Sequence, residues 1–267
     1  MKTIVVPTDF SPSADNAMNY AAQLAQRVGA SIFLVHVYQI PVSTNEVPVL
    51  MVSAQELKNS ADRGLERVSD QLQKKYPEIN ISTESRLGDV VDEIEDLCAE
   101  IKPLALVVGK HGATGVERFL FGSTTLSLIR HLHYPVISVP ETTAFELTNI
   151  ALAADNSDLS SQENKIRDIV QTLKARLHIV HVQENGKETP GLKNLLPDLH
   201  PVYKTIRNHE FVTGIENYVR THAIDLLLIL PHKHGIIERL FFKTHTAELI
   251  EKLRVPILSI PEMNRES

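Results

Sequence analysis

No stretch of the chain approaches the roughly 20 consecutive apolar residues that a membrane-spanning helix needs, and no long run carries charge of one sign. The first absence excludes a helical membrane anchor. The second, with a formal net charge of only −6, argues against a partner gripped through bulk phosphate electrostatics, so nucleic acid is not an expected ligand. Cysteine is nearly missing: Cys98 stands alone, cannot form a disulfide within the chain, and falls on what reads as the apolar face of a helix. That residue is expected to be a buried packing group. The opening Met1-Lys-Thr-Ile-Val-Val-Pro-Thr-Asp9 reads as a strand meeting a turn and not as a cleavable leader, which points to a reducing, cytoplasmic location.

What the 267 residues do have is 43% hydrophobic content, enough for one large core or two ordinary ones, and an internal repeat. Ile4-Val-Val-Pro-Thr-Asp9-Phe10-Ser11 returns as Ile150-Ala-Leu-Ala-Ala-Asp155-Asn156-Ser157, and Leu34-Val-His36-Val37 returns as Ile179-Val-His181-Val182. Val116 to Phe121 returns as Ile237 to Phe242, and Tyr134 to Pro140 as Val255 to Pro261. The early matches stand 145 or 146 residues apart and the later ones 121 apart, so the second copy is 24 residues shorter between its second and fourth strands.

Short Val/Ile/Leu runs without polar alternation mark buried parallel strands, here Thr3 to Pro7, Ser31 to Tyr38, Ile81 to Arg86, Leu104 to Gly109 and Val136 to Val139. Between them lie helices over Pro12 to Val28, Ala54 to Lys75, Val90 to Ile101 and Thr124 to His131. Ser11 supplies a capping hydroxyl, Pro12 suits the first helical position, and Gly29 tolerates the positive φ that ends a helix. Strands alternating with helices predict an α/β chain of two tandem doubly wound domains, residues 1–144 and 145–267, each a five-stranded, mainly parallel sheet flanked by helices. The missing residues of the second copy fall where its long second helix should be. Glu184 to Pro201 carries Gly186, Pro190, Gly191 and Pro197, which suit a loop with at most a short helix. The connection over Glu141 to Leu147 is short, so the halves are expected to be tightly apposed.

The chemistry concentrates in Gly109-Lys-His-Gly112-Ala-Thr-Gly115-Val-Glu-Arg-Phe-Leu-Phe-Gly122-Ser123-Thr124-Thr125, which begins at the carboxyl end of a strand and ends at the amino end of a helix. Ligands of open α/β sheets bind outside the carboxyl ends of the strands. Gly109 and Gly112 let a backbone approach a ligand closely, Gly122 and Ser123 present free amides at the positive end of a helix, and the hydroxyls of Ser123, Thr124 and Thr125 add donors for phosphate oxygens. Asp9, at the end of the first strand, faces the same crevice with a carboxylate for ribose hydroxyls or for a phosphate-bound Mg2+; helix capping is the blander role, for which Ser11 is better placed.

The spacing Gly-x2-Gly-x9-Gly-Ser, met by Gly109, Gly112, Gly122 and Ser123, together with Val6-Pro7-Thr8-Asp9-Phe10-Ser11, resembles the ATP-binding branch of the universal stress protein family over nearly the whole chain as two domains. The resemblance implies a Rossmann-like fold of the adenine nucleotide alpha hydrolase-like kind, with ATP, ADP or AMP as ligand. By the same resemblance Pro7, Thr8 and Asp9 line the nucleotide crevice, Val37 offers main-chain contacts to adenine, and Val108, Gly109 and the residues on to Thr125 hold ribose and phosphates. It further implies pairing of the halves through their last strands, Val136 to Val139 against Pro256 to Ile260, with association of two chains into a homodimer left open.

The second copy departs from this pattern: Gly109 becomes Leu230, Gly112 becomes Lys233, Gly122 becomes Lys243 and Ser123 becomes Thr244. Loss of nucleotide binding there is expected, because side chains fill the space a phosphate needs. His232, His234 and His245 surround this altered loop and have the composition of a zinc site, although solvent-facing loop residues explain them as well. His36 and His181 repeat at equivalent strand positions, as partly buried, hydrogen-bonded histidines do. The favoured function is a nucleotide-occupied sensor or regulator in a stress response. A slow ATP-hydrolysing or adenylyl-transferring enzyme is the alternative, disfavoured by the lack of a Walker Gly-x4-Gly-Lys-Ser/Thr sequence and of a general base beside the loop. A pure interaction module is the third reading.

Overall fold

The computed structural model describes residues 2–40, 53–110, 123–154, 162–183, 195–207, 211–230 and 253–261. The first half runs β1 (Thr3–Pro7), α1 (Pro12–Val28), β2 (Ser31–Tyr38), α2 (Ala54–Lys75), β3 (Ile81–Leu87), α3 (Val90–Ile101), β4 (Ala105–Gly109), α4 (Ser123–His131) and β5 (Val136–Val139). The second runs β6 (Asn149–Ala154), α5 (Glu163–Leu173), β7 (Arg176–Gln183), β8 (Val202–Arg207), α6 (Phe211–Thr221), β9 (Leu226–Ile229) and β10 (Ile257–Ser259). Boundaries read from the pattern for the first half agree with its elements to within one residue. Where the second copy was expected to lose its long helix, the described residues between β7 and β8 hold only a one-turn 3-10 segment, Pro197–Leu199; residues 184–194 lie outside the description.

Local chemistry accounts for these elements. α1 begins where the Ser11 hydroxyl accepts from the Ala14 N–H at 3.2 Å, with Pro12 next, and it ends on Gly29 at φ +65°. Its inner face is Ala17, Ala21, Leu24 and Ala25, all buried, and these small residues let the helix lie close on the sheet. α2 starts with a reciprocal capping box between Ser53 and Glu56.

The strand order is β3-β2-β1-β4-β5-β10-β9-β6-β7-β8, one continuous sheet instead of two separate ones. All pairs within each half are parallel. The seam alone is antiparallel, with Ile257 opposite Ser138, Leu258 opposite Ile137 and Ser259 opposite Val136. Alternate residues feed two apolar layers: Ile4 and Val6 join α1 and α2 on one face, while Val5 joins Ile94, Leu97 and Leu128 on the other. Both layers cross the seam, the first reaching Ile150 and Leu228 and the second Ala151 and Leu227. Side-chain bonds reinforce it. Asn16 Nδ2 donates to the carbonyls of Pro140 and Thr143 at 2.7 and 3.1 Å, and Arg27 Nε donates to the Leu173 carbonyl at 2.9 Å. The tight apposition expected from the short connection is therefore built from main-chain pairing, shared core and helix-to-helix contacts.

Cys98 is fully buried, and burial pushes its thiol up to about 12, so it packs as a small hydrophobe.

Candidate functional site

In each half the order of strands reverses at the first strand: β2 lies on one side of β1 and β4 on the other. Crossovers leaving β1 and β4 therefore diverge, opening a crevice at their carboxyl ends. The chain leaving β1 turns sharply there. The Thr8 N–H still reaches the Val35 carbonyl at 2.9 Å, after which the Thr8 hydroxyl accepts from the Phe10 N–H at 3.0 Å and the Asp9 carboxylate accepts from the Ser11 N–H at 3.1 Å. Asp9 is exposed just past the strand end. Ser11 is the helix cap, as expected, and Asp9 braces the turn before it. Pro7 is the last residue of β1 and half-buried, and Thr8 is buried.

His36 Nδ1 lies 2.7 Å from the Thr8 carbonyl. A carbonyl only accepts, so Nδ1 carries the proton and donates. His181 Nδ1 makes the same bond to the Ala154 carbonyl at 3.2 Å, and Ala154 is the repeat equivalent of Thr8. The repeated histidines thus tie the second strand of each half to the end of the first.

Main-chain groups of alternate residues on a strand point the same way. The Val35 carbonyl faces β1, whereas the Tyr38 carbonyl faces β3, where it accepts from the Gly88 N–H at 3.2 Å. Val37 therefore turns its N–H and C=O to the side on which β1 has already ended. Beside it opens a cleft of about 520 Å³ lined by Val37, Gln39, Asp89, Val90, Val91, Thr124 and Ser127. Its walls are the ends of β2 and the first turns of α3 and α4. Asp89 caps α3 by accepting from the Val91 N–H at 2.8 Å. Of the residues singled out from sequence, Val37 and Thr124 meet at this cleft. Gln39, Asp89, Val90, Val91 and Ser127 were not singled out; the sequence signal that leads to three of them is Gly88-Asp89, a strand-to-helix junction on the ligand side of the sheet.

Two residues of the glycine loop have packing roles that the motif did not reveal. A Cβ on Gly109 would stand 2.5 Å from Ser13 Oγ and 2.9 Å from the Ser13 main chain, so glycine here lets α1 lie against β4. The Thr125 hydroxyl is buried and donates to the Gly109 carbonyl at 3.0 Å, which fastens the start of α4 to the end of β4 and commits that hydrogen within the protein. Val108 is buried in the second apolar layer and pairs with Ser138 in the sheet, so its side chain faces core. Leu230, the counterpart of Gly109, is buried in the layer that also holds Ile166 and Val170 of α5. Its side chain fills the space between helix and sheet. Gly112, Gly122, Asp155, His232, Lys233, His234, Lys243, Thr244 and His245 lie outside the described residues, as does the side chain of Ser123.

The universal stress protein family model matches residues 1–140, just over half of the chain. The chain belongs to the universal stress protein family. A universal stress protein of Synechocystis is 25% identical, the match covering 97% of this chain and 99% of that one. Another from Methanocaldococcus jannaschii is 29% identical over 143 residues, 52% of this chain and 81% of its own. The crystal structure of a universal stress protein from Archaeoglobus fulgidus superposes with a TM-score of 0.75 at 17% identity, covering 98% of both chains. The Rossmann-like α/β architecture of universal stress proteins is thus the fold of this chain along its whole length. No helix among its described residues is long and apolar enough to cross a membrane.

Proposed function

We propose that the first half binds an adenine nucleotide across the ends of β1, β2 and β4, and that occupancy of this site is how the protein acts as a sensor or regulator in a stress response. The observation that carries the reading is the Val37 main chain, which has no hydrogen-bond partner on the β1 side among the described residues and borders a cleft of about 520 Å³. Adenine presents an amine donor beside a ring-nitrogen acceptor, the complement of a peptide C=O and N–H on one strand edge. The cleft volume falls within the roughly 300–1,000 Å³ of ordinary small-molecule sites. In this reading the Asp9 carboxylate takes ribose hydroxyls, or an Mg2+ travelling with the phosphates, and Ser123 and Thr124 meet phosphate at the amino end of α4. Gly112 and Gly122 belong to the phosphate loop on the strength of their motif. Thr125 acts indirectly, holding α4 to β4.

Titration of ATP into nucleotide-stripped protein tests the reading. Saturable binding at one site per chain is expected. GTP, whose O6 sets an acceptor against the Val37 carbonyl, should bind at least about tenfold more weakly. Gly122→Lys, which copies the second half, should abolish binding while the far-ultraviolet spectrum is kept. Equal affinity for ATP and GTP would remove the base assignment, and unchanged ATP affinity in Gly122→Lys would remove the loop from the site.

A further inference from the structure

Phe10 adopts φ +62°, a left-handed conformation that an aromatic L residue seldom takes. The second copy has Asn156 at this position, a residue that tolerates such a backbone well. Something must hold a phenylalanine in the first copy. Its ring lies 4.4 Å from the His36 ring, centroid to centroid, and presses into a notch in the middle of α2. The notch is Gly64: a Cβ there would stand 2.5 Å from Phe10 Cζ and 2.9 Å from Cε2. Glycine is a poor helix former and is the single glycine of α2, so the ring explains its presence.

Phe10, Gly64 and α2 go together. The second copy is 24 residues shorter in this region, and its described residues between β7 and β8 hold no α-helix. It has Asn156 in place of Phe10, yet it keeps Asp155 in sequence and the histidine bond to the end of β6. The tie from the second strand to the end of the first thus survives without the joint. What it adds in the first half is a ring fixed on two sides, directly after Asp9, whose carboxylate is bonded to the Ser11 N–H one residue beyond the ring.

We propose that Phe10 is a positioning residue: seated in the Gly64 notch of α2 and packed against the tilted His36 ring, it holds the turn after β1 so that Asp9 is aimed at the ribose of a bound adenine nucleotide. The inference rests on the nucleotide reading above and adds α2 as a supporting element of that site. Phe10 itself touches no ligand. Its loss should act only on the part of the nucleotide that Asp9 holds.

The test compares ATP with 2′,3′-dideoxyATP, which lacks the ribose hydroxyls, in the unaltered protein, Phe10→Asn and Gly64→Ala. The unaltered protein should prefer ATP by about tenfold, the worth of one charge-assisted hydrogen bond. Phe10→Asn should fold with a comparable melting temperature because the backbone strain is relieved, keep its affinity for dideoxyATP, and lose the preference. Gly64→Ala, which leaves Phe10 in place but closes its notch, should do the same and stands as the independent variant if Phe10→Asn does not fold. A preserved tenfold preference in either folded variant overturns the positioning role. Equal binding of ATP and dideoxyATP by the unaltered protein overturns it too, leaving the nucleotide reading intact; failure to bind either nucleotide overturns both.

Discussion

Replacing Gly109 with alanine distinguishes two reasons for a glycine at the start of the loop. If the residue is small so that α1 can rest on β4, the new methyl meets Ser13 Oγ at 2.5 Å and the Ser13 carbonyl carbon and oxygen at 2.9 Å, against ordinary contacts of about 3.5–4.0 Å. The hydroxyl can rotate away, but the main chain cannot, and α1 is held down by Ala17, Ala21 and Ala25, each with no exposed surface. The helix must lift or the strand must bend. Overpacking of this kind costs about 1–3 kcal/mol, a large share of the roughly 5–15 kcal/mol that stabilises an ordinary domain. Urea unfolding followed by circular dichroism reads the change, and Ser13→Gly in the same background should recover the part due to the hydroxyl but not the rest. Gly29→Ala is the contrasting control, since open space surrounds Gly29 and the cost there comes from φ +65° alone, about 1–2 kcal/mol. A Gly109→Ala protein as stable as the unaltered one to within about 0.5 kcal/mol would refute the packing explanation and return the residue to the ligand.

The remaining predictions concern buried polar groups. The Tyr20 hydroxyl is buried with no hydrogen-bond partner among the described residues, and burial holds its phenol well above the usual range, so Tyr20→Phe should leave the melting point unchanged or raise it, by up to about 1 kcal/mol in stability; a clear loss would show that the hydroxyl has a partner. His178 is buried beside Tyr218, whose hydroxyl lies 2.8 Å from Nδ1, and burial, with Arg176 and His222 nearby, lowers its pKa below the ordinary 6.5. The unfolded chain then takes up the proton first, so the stability due to neutral His178 is complete above pH 6.5 and declines as pH falls through that value toward the folded pKa. His178→Gln should flatten the corresponding part of the urea midpoint profile between about pH 7.5 and 5.5; an unaltered profile would contradict this. Cys98, with its thiol up at about 12 and no exposed surface, should resist a thiol reagent at pH 8 until the protein unfolds, and prompt labelling of the native state would show that α3 opens.

Elements were legible wherever a local pattern suffices. Apolar runs such as Ile4-Val5-Val6 mark buried strands, and Ser11-Pro12 and Gly29 mark the ends of α1, because capping and periodicity depend on neighbours in sequence. The seam was legible only through the repeat and the family resemblance, since nothing local in Val136 to Val139 says which strand will pair with it. The site was legible in part. Val37 and Thr124 line the cleft, but Asp89, Val90 and Val91 are brought to them by the crossover that places α3 beside α4, a relation no spacing encodes. The packing roles of Gly109 and Thr125 were not legible because a glycine or a hydroxyl in a loop motif reads the same whether its neighbour is a ligand or the protein. The pairing of Phe10 with Gly64 spans 54 residues and leaves no local trace beyond a glycine in a helix.

The central claim is that one half of the chain holds an adenine nucleotide and the other does not. Native mass spectrometry of the intact 29.8 kDa chain in the presence of ATP counts the occupants directly. A single adenine nucleotide per chain is expected, lost in Gly122→Lys. No bound nucleotide, two per chain, or one that survives Gly122→Lys would contradict it.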